Sequence, residues 1–337
     1  MKKLISLICV LAMVFALCAC GESSAPAAPE ASEASAEAAE APAADQTYVV
    51  GICQLVQHPA LDAATQGFKD VLTEKLGENV VFEEQNASGD PATCSLICNQ
   101  FVSDEVDLIM ANATASLQAA ASATNSIPIL GTSVTDYGVA LGIEGWTGVS
   151  GTNISGTSDL APLDGQAEMI KELFPDAKTV GLLYCSGEPN SLFQADSIEK
   201  LLTDMGYTVE RFTFADSNDV SAVTANACSG ADVIYIPTDN TAASCTEAIN
   251  NVALSAGIPI VCGEEGIAAG CGVATLSISY YDLGRATGEM AYDVLVNGAD
   301  ISSMEVRFAP AFTKEYNADI CSALNVTVPG DYVAIAK

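Results

Sequence analysis

The chain has 337 residues, 12 Lys and Arg against 43 Asp and Glu, a formal charge of −31, and a single histidine. So acidic a surface repels nucleic acid and anionic lipid, and no Lys/Arg cluster interrupts it, which excludes DNA or RNA as a partner. One histidine also leaves little room for Ser-His or Cys-His catalysis. There is no Gly-x-Ser-x-Gly elbow, phosphate loop or His-rich metal set, so no enzyme, cofactor or metal centre is expected.

In chain order, Lys2 and Lys3 precede an uncharged apolar run, Leu4 to Leu17. Fourteen residues are too few for a stable membrane span, and the pattern reads as a secretory leader. It ends in Leu17-Cys18-Ala19-Cys20-Gly21, which resembles a bacterial lipobox with Cys20 as the lipidated residue after removal of residues 1–19. Residues 20–46 are rich in Ala, Glu, Ser and Pro, lack a buried-face pattern, and read as an acidic tether. The leader and lipobox hold Cys9, Cys18 and Cys20, leaving nine cysteines for the globule. An odd number in an exported chain cannot all pair, and most read as reduced core residues. Cys262–Cys271 is a disulfide that the spacing leaves open. Cys94 and Cys98 share a helical face but lack the further ligands of a zinc site.

From residue 47 onward, short apolar runs alternate with helical patterns, the signature of parallel α/β units. Strands are expected at 48–53, 79–85, 106–111 and 127–131, with helices at 60–76, 91–103 and 115–124. The pattern then restarts, with helices at 163–174, 190–205, 219–228 and 241–256 and strands at 178–184, 208–213, 232–236 and 258–262. The restart is a true repeat about 130 residues apart. Val106-Asp107-Leu108-Ile109 leads to Asn112-Ala113-Thr114 and Ile127-Pro128-Ile129. Asp232-Val233-Ile234-Tyr235 leads to Thr238-Asp239-Asn240 and Ile258-Pro259-Ile260. A period this long means two like domains rather than a solenoid. The chain is therefore expected to form two Rossmann-like lobes with parallel sheets joined by a hinge. Lobe 1 takes 47–157 and about 280–304; lobe 2 takes 158–279 and about 305–337. A strand at 273–279 and a helix at 281–297 carry the chain back to lobe 1.

Ligands of parallel α/β sheets sit beyond the carboxyl ends of the strands. That rule selects Gln57, His58, Thr114, Ser116, Ser133 and Thr135 from lobe 1. It selects Asp159 at the first crossing, and Asn190, Ser191, Asp239, Asn240 and Glu264 from lobe 2. These loops hold no Lys or Arg. A ligand carboxylate is then left to helix N-termini and hydroxyls, and an ammonium to Asp159, Asp239 or Glu264, which together suit a zwitterionic amino acid. Thr114 and Asp239 are equally the residue types that cap helices.

His58-Pro59-Ala60-Leu61-Asp62, Phe101-Val102-Ser103-Asp104, Pro237-Thr238-Asp239-Asn240-Thr241 and Tyr280-Tyr281-Asp282-Leu283-Gly284-Arg285 occur in this order. With the lipobox, they resemble the substrate-binding lipoproteins of ABC importers of the type I periplasmic-binding-protein fold, in the group with tryptophan- and other aromatic-amino-acid-binding members. Tyr137 departs from the pattern, standing where proline is expected. The resemblance implies a monomeric, extracytoplasmic, lipid-anchored receptor that captures an aromatic or other apolar amino acid and docks on an ABC permease. A sensor-type lipoprotein that presents another metabolite to a signalling receptor remains the alternative.

Overall fold

A computed structural model describes residues 46–336. The leader, Cys20 and nearly all of the tether lie outside the described residues.

In lobe 1, β1 (Tyr48–Gln54), α1 (Pro59–Leu76), β2 (Val80–Asn86), α2 (Pro91–Ser103), β3 (Leu108–Asn112), α3 (Thr114–Ala123), β4 (Ile129–Val134), α4 (Tyr137–Leu141) and β5 (Ile154–Ser158) follow one another. Lobe 2 continues with α5 (Leu163–Leu173), β6 (Thr179–Cys185), α6 (Pro189–Asp204), β7 (Thr208–Phe214), α7 (Val220–Gly230), β8 (Val233–Ile236), α8 (Asn240–Ser244), α9 (Thr246–Ala256), β9 (Ile260–Cys262), α10 (Glu265–Cys271) and β10 (Ala274–Ser277). The remaining elements are α11 (Tyr280–Leu295), β11 (Arg307–Phe308), β12 (Thr313–Tyr316), α12 (Ala318–Leu324) and β13 (Val333–Ala334).

The first sheet runs β11-β5-β4-β3-β1-β2 and the second β13-β12-β10-β9-β8-β6-β7. All pairings are parallel except β10 with β12. Strands β3, β4, β8 and β9 are buried from end to end, as expected where helices cover both faces. Each sheet separates two apolar layers: Phe101, Ile109 and Leu117 oppose Phe68, Leu108 and Met110 in lobe 1. In lobe 2, Leu182, Tyr235 and Ile198 oppose Ile234, Phe214 and Ile249.

The chain crosses between lobes at 159–162, 278–279 and 309–312. Residues 305–308 stay with lobe 1 before the third crossing. Val306 N–H donates to the Gly148 carbonyl at 2.8 Å, and β11 pairs with β5. After the second crossing, α11 returns to lie on α1 at a distance that only glycine permits. A Cβ on Gly284 would stand 2.0 Å from the Ala64 carbonyl oxygen, and one on Gly67 would stand 2.1 Å from that of Tyr281. The third strand of each half and the strand after it reach the same edge of the lobe, so the repeat places the polar loops of both halves face to face.

The expected helix at 241–256 is two helices, broken at Cys245 (φ −121°, ψ 18°). Glu188 holds the first turn of α8 through the N–H groups of Asn240 and Thr241, while Thr246 at the start of α9 is packed on Gly270 of α10. The nine described cysteines are all free, and Cys262 and Cys271 are buried without a disulfide. Cys53, Cys94 and Cys98 are fully buried in lobe 1, and against the lowering hydrogen bond with Cys94, the Cys98 thiol and burial push Cys53 up to about 12.

Candidate functional site

Three groups of polar side chains meet between the lobes. The first lies at the hinge. Asp159 begins the first crossing and Tyr280 follows the second, and the Tyr280 hydroxyl donates to Asp159 Oδ2 at 3.0 Å. Thr135, past the end of β4, stands near enough to pull the pKa of this carboxyl down. Asp159 is 3% exposed, yet its Oδ1 has no partner. Burial pushes the carboxyl up to about 6, against the pull of Tyr280 and Thr135. Glu264 stands close enough for its charge to act on both Asp159 and Tyr280. It differs from Asp159 in being spent locally, capping α10 through the N–H groups of Gly266 and Ile267. Burial moves it up to about 7 in spite of those two bonds.

The second group lies at the carboxyl ends of β3 and β4. Ser133 adopts a left-handed conformation (φ 54°) where the β4–β5 register shifts. Its buried hydroxyl has no partner. Such a backbone costs a serine about 1–2 kcal/mol, and strain of this kind gathers at functional sites. The Ala113 N–H bonds the Thr132 carbonyl at 3.0 Å, so Ser133 is next to the start of α3. Alanine at the cap position of α3 offers its first turn no side-chain acceptor. Thr114, the first helical residue, is buried beside it. Asn112 donates to the Leu61 carbonyl and to Thr65, while its buried Oδ1 is left without a partner.

The third group bridges the lobes. His58, before α1, approaches Asn240 of lobe 2, with Nε2 3.3 Å from Oδ1. The Asn240 amide in turn donates to Glu188 at 2.7 Å. Burial lowers the histidine pKa, against the opposing influence of Asn240, Glu188 and Asp62. A second bridge runs from Gln194 Nε2 to the Thr135 hydroxyl at 3.5 Å. Beside this group a cavity of about 400 Å³ opens, walled by Val56, Ala115 and Gln118 of lobe 1 and by Glu188, Asn190 and Thr241 of lobe 2. That size falls within the usual range for small-ligand pockets.

A model of the ABC transporter substrate binding protein family matches residues 49–337. The chain belongs to that family. A curated relative, a tyrosine-binding protein of Clostridioides difficile, is 37% identical over 280 residues, which span 82% of this chain and 81% of the relative. A Streptococcus pneumoniae structure in complex with L-Trp is 31% identical, with a TM-score of 0.81, 86% of this chain covered and 100% of that one. A ligand-free, open substrate-binding protein with adhesive properties from Clostridium difficile is 38% identical over 86% of this chain and 100% of that one, but its TM-score is only 0.65. The relative with more sequence in common superposes less well. The fold is that of the type I periplasmic binding proteins.

The structure joins His58 to Asn240 across the lobes and sets Asp159 at the hinge with Thr135 and Glu264 nearby, while Ser133 and Thr114 lie at the adjoining strand ends of lobe 1. Others are committed elsewhere. Asp239 caps α8 through the Ala242 N–H at 2.7 Å, and accepts the Cys185 N–H at 2.6 Å and the Ser191 hydroxyl at 2.7 Å. Burial and then the Glu188 charge push its carboxyl up, against these three donors. Ser191 is thereby spent as well. Asn190 ties α6 to Glu188 and to the Thr238 carbonyl. Ser116 faces the lobe 1 core, with its hydroxyl 3.6 Å from Cys53 Sγ and 3.5 Å from Cys94 Sγ. One helical turn separates the cleft end of α3 from its core face, and Ser116 is on the wrong side. Gln57 is exposed.

Tyr280, Asn112 and Glu188 belong to the constellation too; Asn112 and Glu188 stand in the strand-end loops the rule selects, and Tyr280 at the hinge. A tyrosine directly after a crossing was the available signal for Tyr280. Tyr137, the departure from the family pattern, opens α4. Its ring stacks on Trp146 with centroids 6.0 Å apart, and its hydroxyl donates to the Thr157 carbonyl, so both rings pack lobe 1.

Proposed function

We propose that this substrate-binding protein captures an aromatic amino acid between its lobes and delivers it to an ABC permease. The observation that carries this reading is the set of buried, unpartnered polar atoms at the lobe interface: Asp159 Oδ1, Ser133 Oγ and His58 Nδ1. Buried polar atoms normally find partners, so unpartnered ones along the lobe boundary support a ligand that supplies the missing groups. Asp159 offers a carboxylate oxygen to an α-ammonium. The uncapped start of α3 and the Ser133 hydroxyl suit an α-carboxylate, since helix N-termini favour anions without any guanidinium. The relatives named for tyrosine and holding L-Trp supply the side-chain class.

On this reading the protein works outside the cytoplasm. It is tethered through an acylated Cys20 after loss of the leader, and acts as a monomer. Thermal shift and calorimetry against the twenty amino acids test it. Tyrosine, tryptophan or phenylalanine should raise the melting temperature, by an amount set by ligand concentration over Kd. A shift produced only by a non-aromatic solute would discard the ligand class and retain the receptor.

A further inference from the structure

His58 is the chain's single histidine, and its surroundings fix which nitrogen carries the proton. Glu188 accepts from the Asn240 backbone N–H at 3.0 Å and from the Asn240 side chain at 2.7 Å. A carboxylate can only accept, so the Asn240 amide must turn its NH₂ toward Glu188 and its oxygen toward His58. That oxygen in turn only accepts, so the His58 Nε2 facing it bears the hydrogen. Burial lowers the ring's pKa and so favours the neutral form. The neutral Nε2–H tautomer leaves Nδ1 as a bare lone pair.

That lone pair has no use within the protein. His58 occupies the cap position of α1, but its side chain makes no capping bond, and Pro59 follows without an N–H. The residue is 7% exposed, and Nδ1 is buried without a partner. A buried acceptor without a partner, on a ring that already touches the opposite lobe through Asn240, calls for a donor.

We propose that His58 Nδ1 accepts a hydrogen bond from the ring of the bound ligand, so that the site selects side chains bearing an O–H or N–H over plain phenyl. Phenol and indole rings satisfy the imidazole, whereas a phenyl ring buries it unsatisfied. Sites built around a ligand hydrogen bond reject analogues lacking it because the protein partner is then stranded. This inference rests on the aromatic-amino-acid reading.

Calorimetry on the full chain tests it with two pairs: L-tyrosine against L-phenylalanine, and L-tryptophan against its benzothiophene analogue, in which sulfur replaces the ring N–H. Removing the donor should weaken binding about 10- to 100-fold in at least one pair. In His58→Phe that ratio should fall toward one, whatever happens to affinity as a whole. Loss of the bridge to Asn240 would weaken all ligands alike and leave the ratio unchanged. The ¹⁵N spectrum of the single imidazole gives an independent readout. In the free protein Nδ1 should be unprotonated, and the donor-bearing ligand should shift it while its donorless partner does not. A protonated Nδ1 in the free protein, or equal affinities within both pairs, overturns the role of His58 and leaves the ligand class standing. If none of the four ligands binds, the aromatic reading fails, and this inference with it.

Discussion

Asp159→Asn should separate binding from folding. In the native protein the carboxyl sits at about 6, against an unfolded value near 3.9. Keeping it charged in the empty site therefore costs the native state about 3 kcal/mol. The sign follows from the native value lying above the unfolded one. The cost is absent below about pH 4, where the carboxyl is protonated in both states, grows as pH rises toward 6, and is fully present at pH 7.5. Asparagine removes the charge. Its carbonyl still accepts from Tyr280, while its NH₂ takes the place of Oδ1, which has no partner to lose. The ligand-free variant should melt no lower than the wild type at pH 7.5.

Binding should behave in the opposite way. The ammonium loses a charge-assisted hydrogen bond worth about 1.5–3 kcal/mol and meets an amide donor instead. Affinity should fall at least about tenfold by calorimetry at pH 7.5. In the wild type, affinity should also fall about tenfold per pH unit below 6, since the ligand needs the ionised carboxylate. Glu264, raised to about 7 and facing the same space, titrates nearby, and whatever pH dependence survives in Asp159→Asn is its share. An Asp159→Asn protein that binds as tightly as the wild type, with an unchanged pH profile, refutes the assignment.

Three further outcomes are expected. Asp239→Ala strands the Cys185 and Ala242 N–H groups and the Ser191 hydroxyl, and should cost about 3 kcal/mol in urea denaturation; unchanged stability with weakened binding would instead make Asp239 a ligand contact. Gly284→Ala drives a Cβ to 2.0 Å from a backbone oxygen of α1, so circular dichroism should show lobe 1 melting far below the wild type, whereas an unaltered melt would mean that α11 can slide along α1. A thiol reagent should label Cys228 and Cys245 in the native globule and the seven buried cysteines only after unfolding; rapid native labelling of Cys53, held up at about 12, would contradict its burial.

Elements whose local signals agreed with their packing were legible in the sequence. Helix α2 spans 91–103 as expected, because Asp90 caps it, Pro91 opens it, and Cys94, Ile97, Cys98 and Phe101 form one buried face. Strand β5 was not legible. Ile154-Ser155-Gly156-Thr157-Ser158 reads as a polar loop, yet every residue is buried, with the hydroxyls paired to Met304, Thr287 and Thr135. No periodicity reports such partners, since they arrive from segments up to 149 residues away. At the site, the strand-end rule led to loops that make contacts across the lobes, through His58 with Asn240 and Thr135 with Gln194. It could not separate Ser133 from Ser116, because that depends on which way one helical turn faces.

The three carboxylates available for an ammonium show what only three-dimensional pairing decides. Asp239 takes three donors from lobe 2 and Glu264 takes two from its own helix, whereas Asp159 has one oxygen held by Tyr280 and the other bare. Burial raises all three, so pKa direction alone does not single out the ligand contact. The unpaired oxygen is what favours Asp159 under the proposed function. It also gives the hinge a reason to respond to occupancy. Asp159 opens the first crossing and Tyr280 follows the second, so lobes shut around an empty site leave a buried carboxylate oxygen unpartnered at the hinge. A ligand that brings the ammonium removes that penalty in the closed state alone. Such differential affinity is what a ligand must have to shift a conformational equilibrium. On this account, the residue that recognises the amino group is also the one that couples recognition to closure.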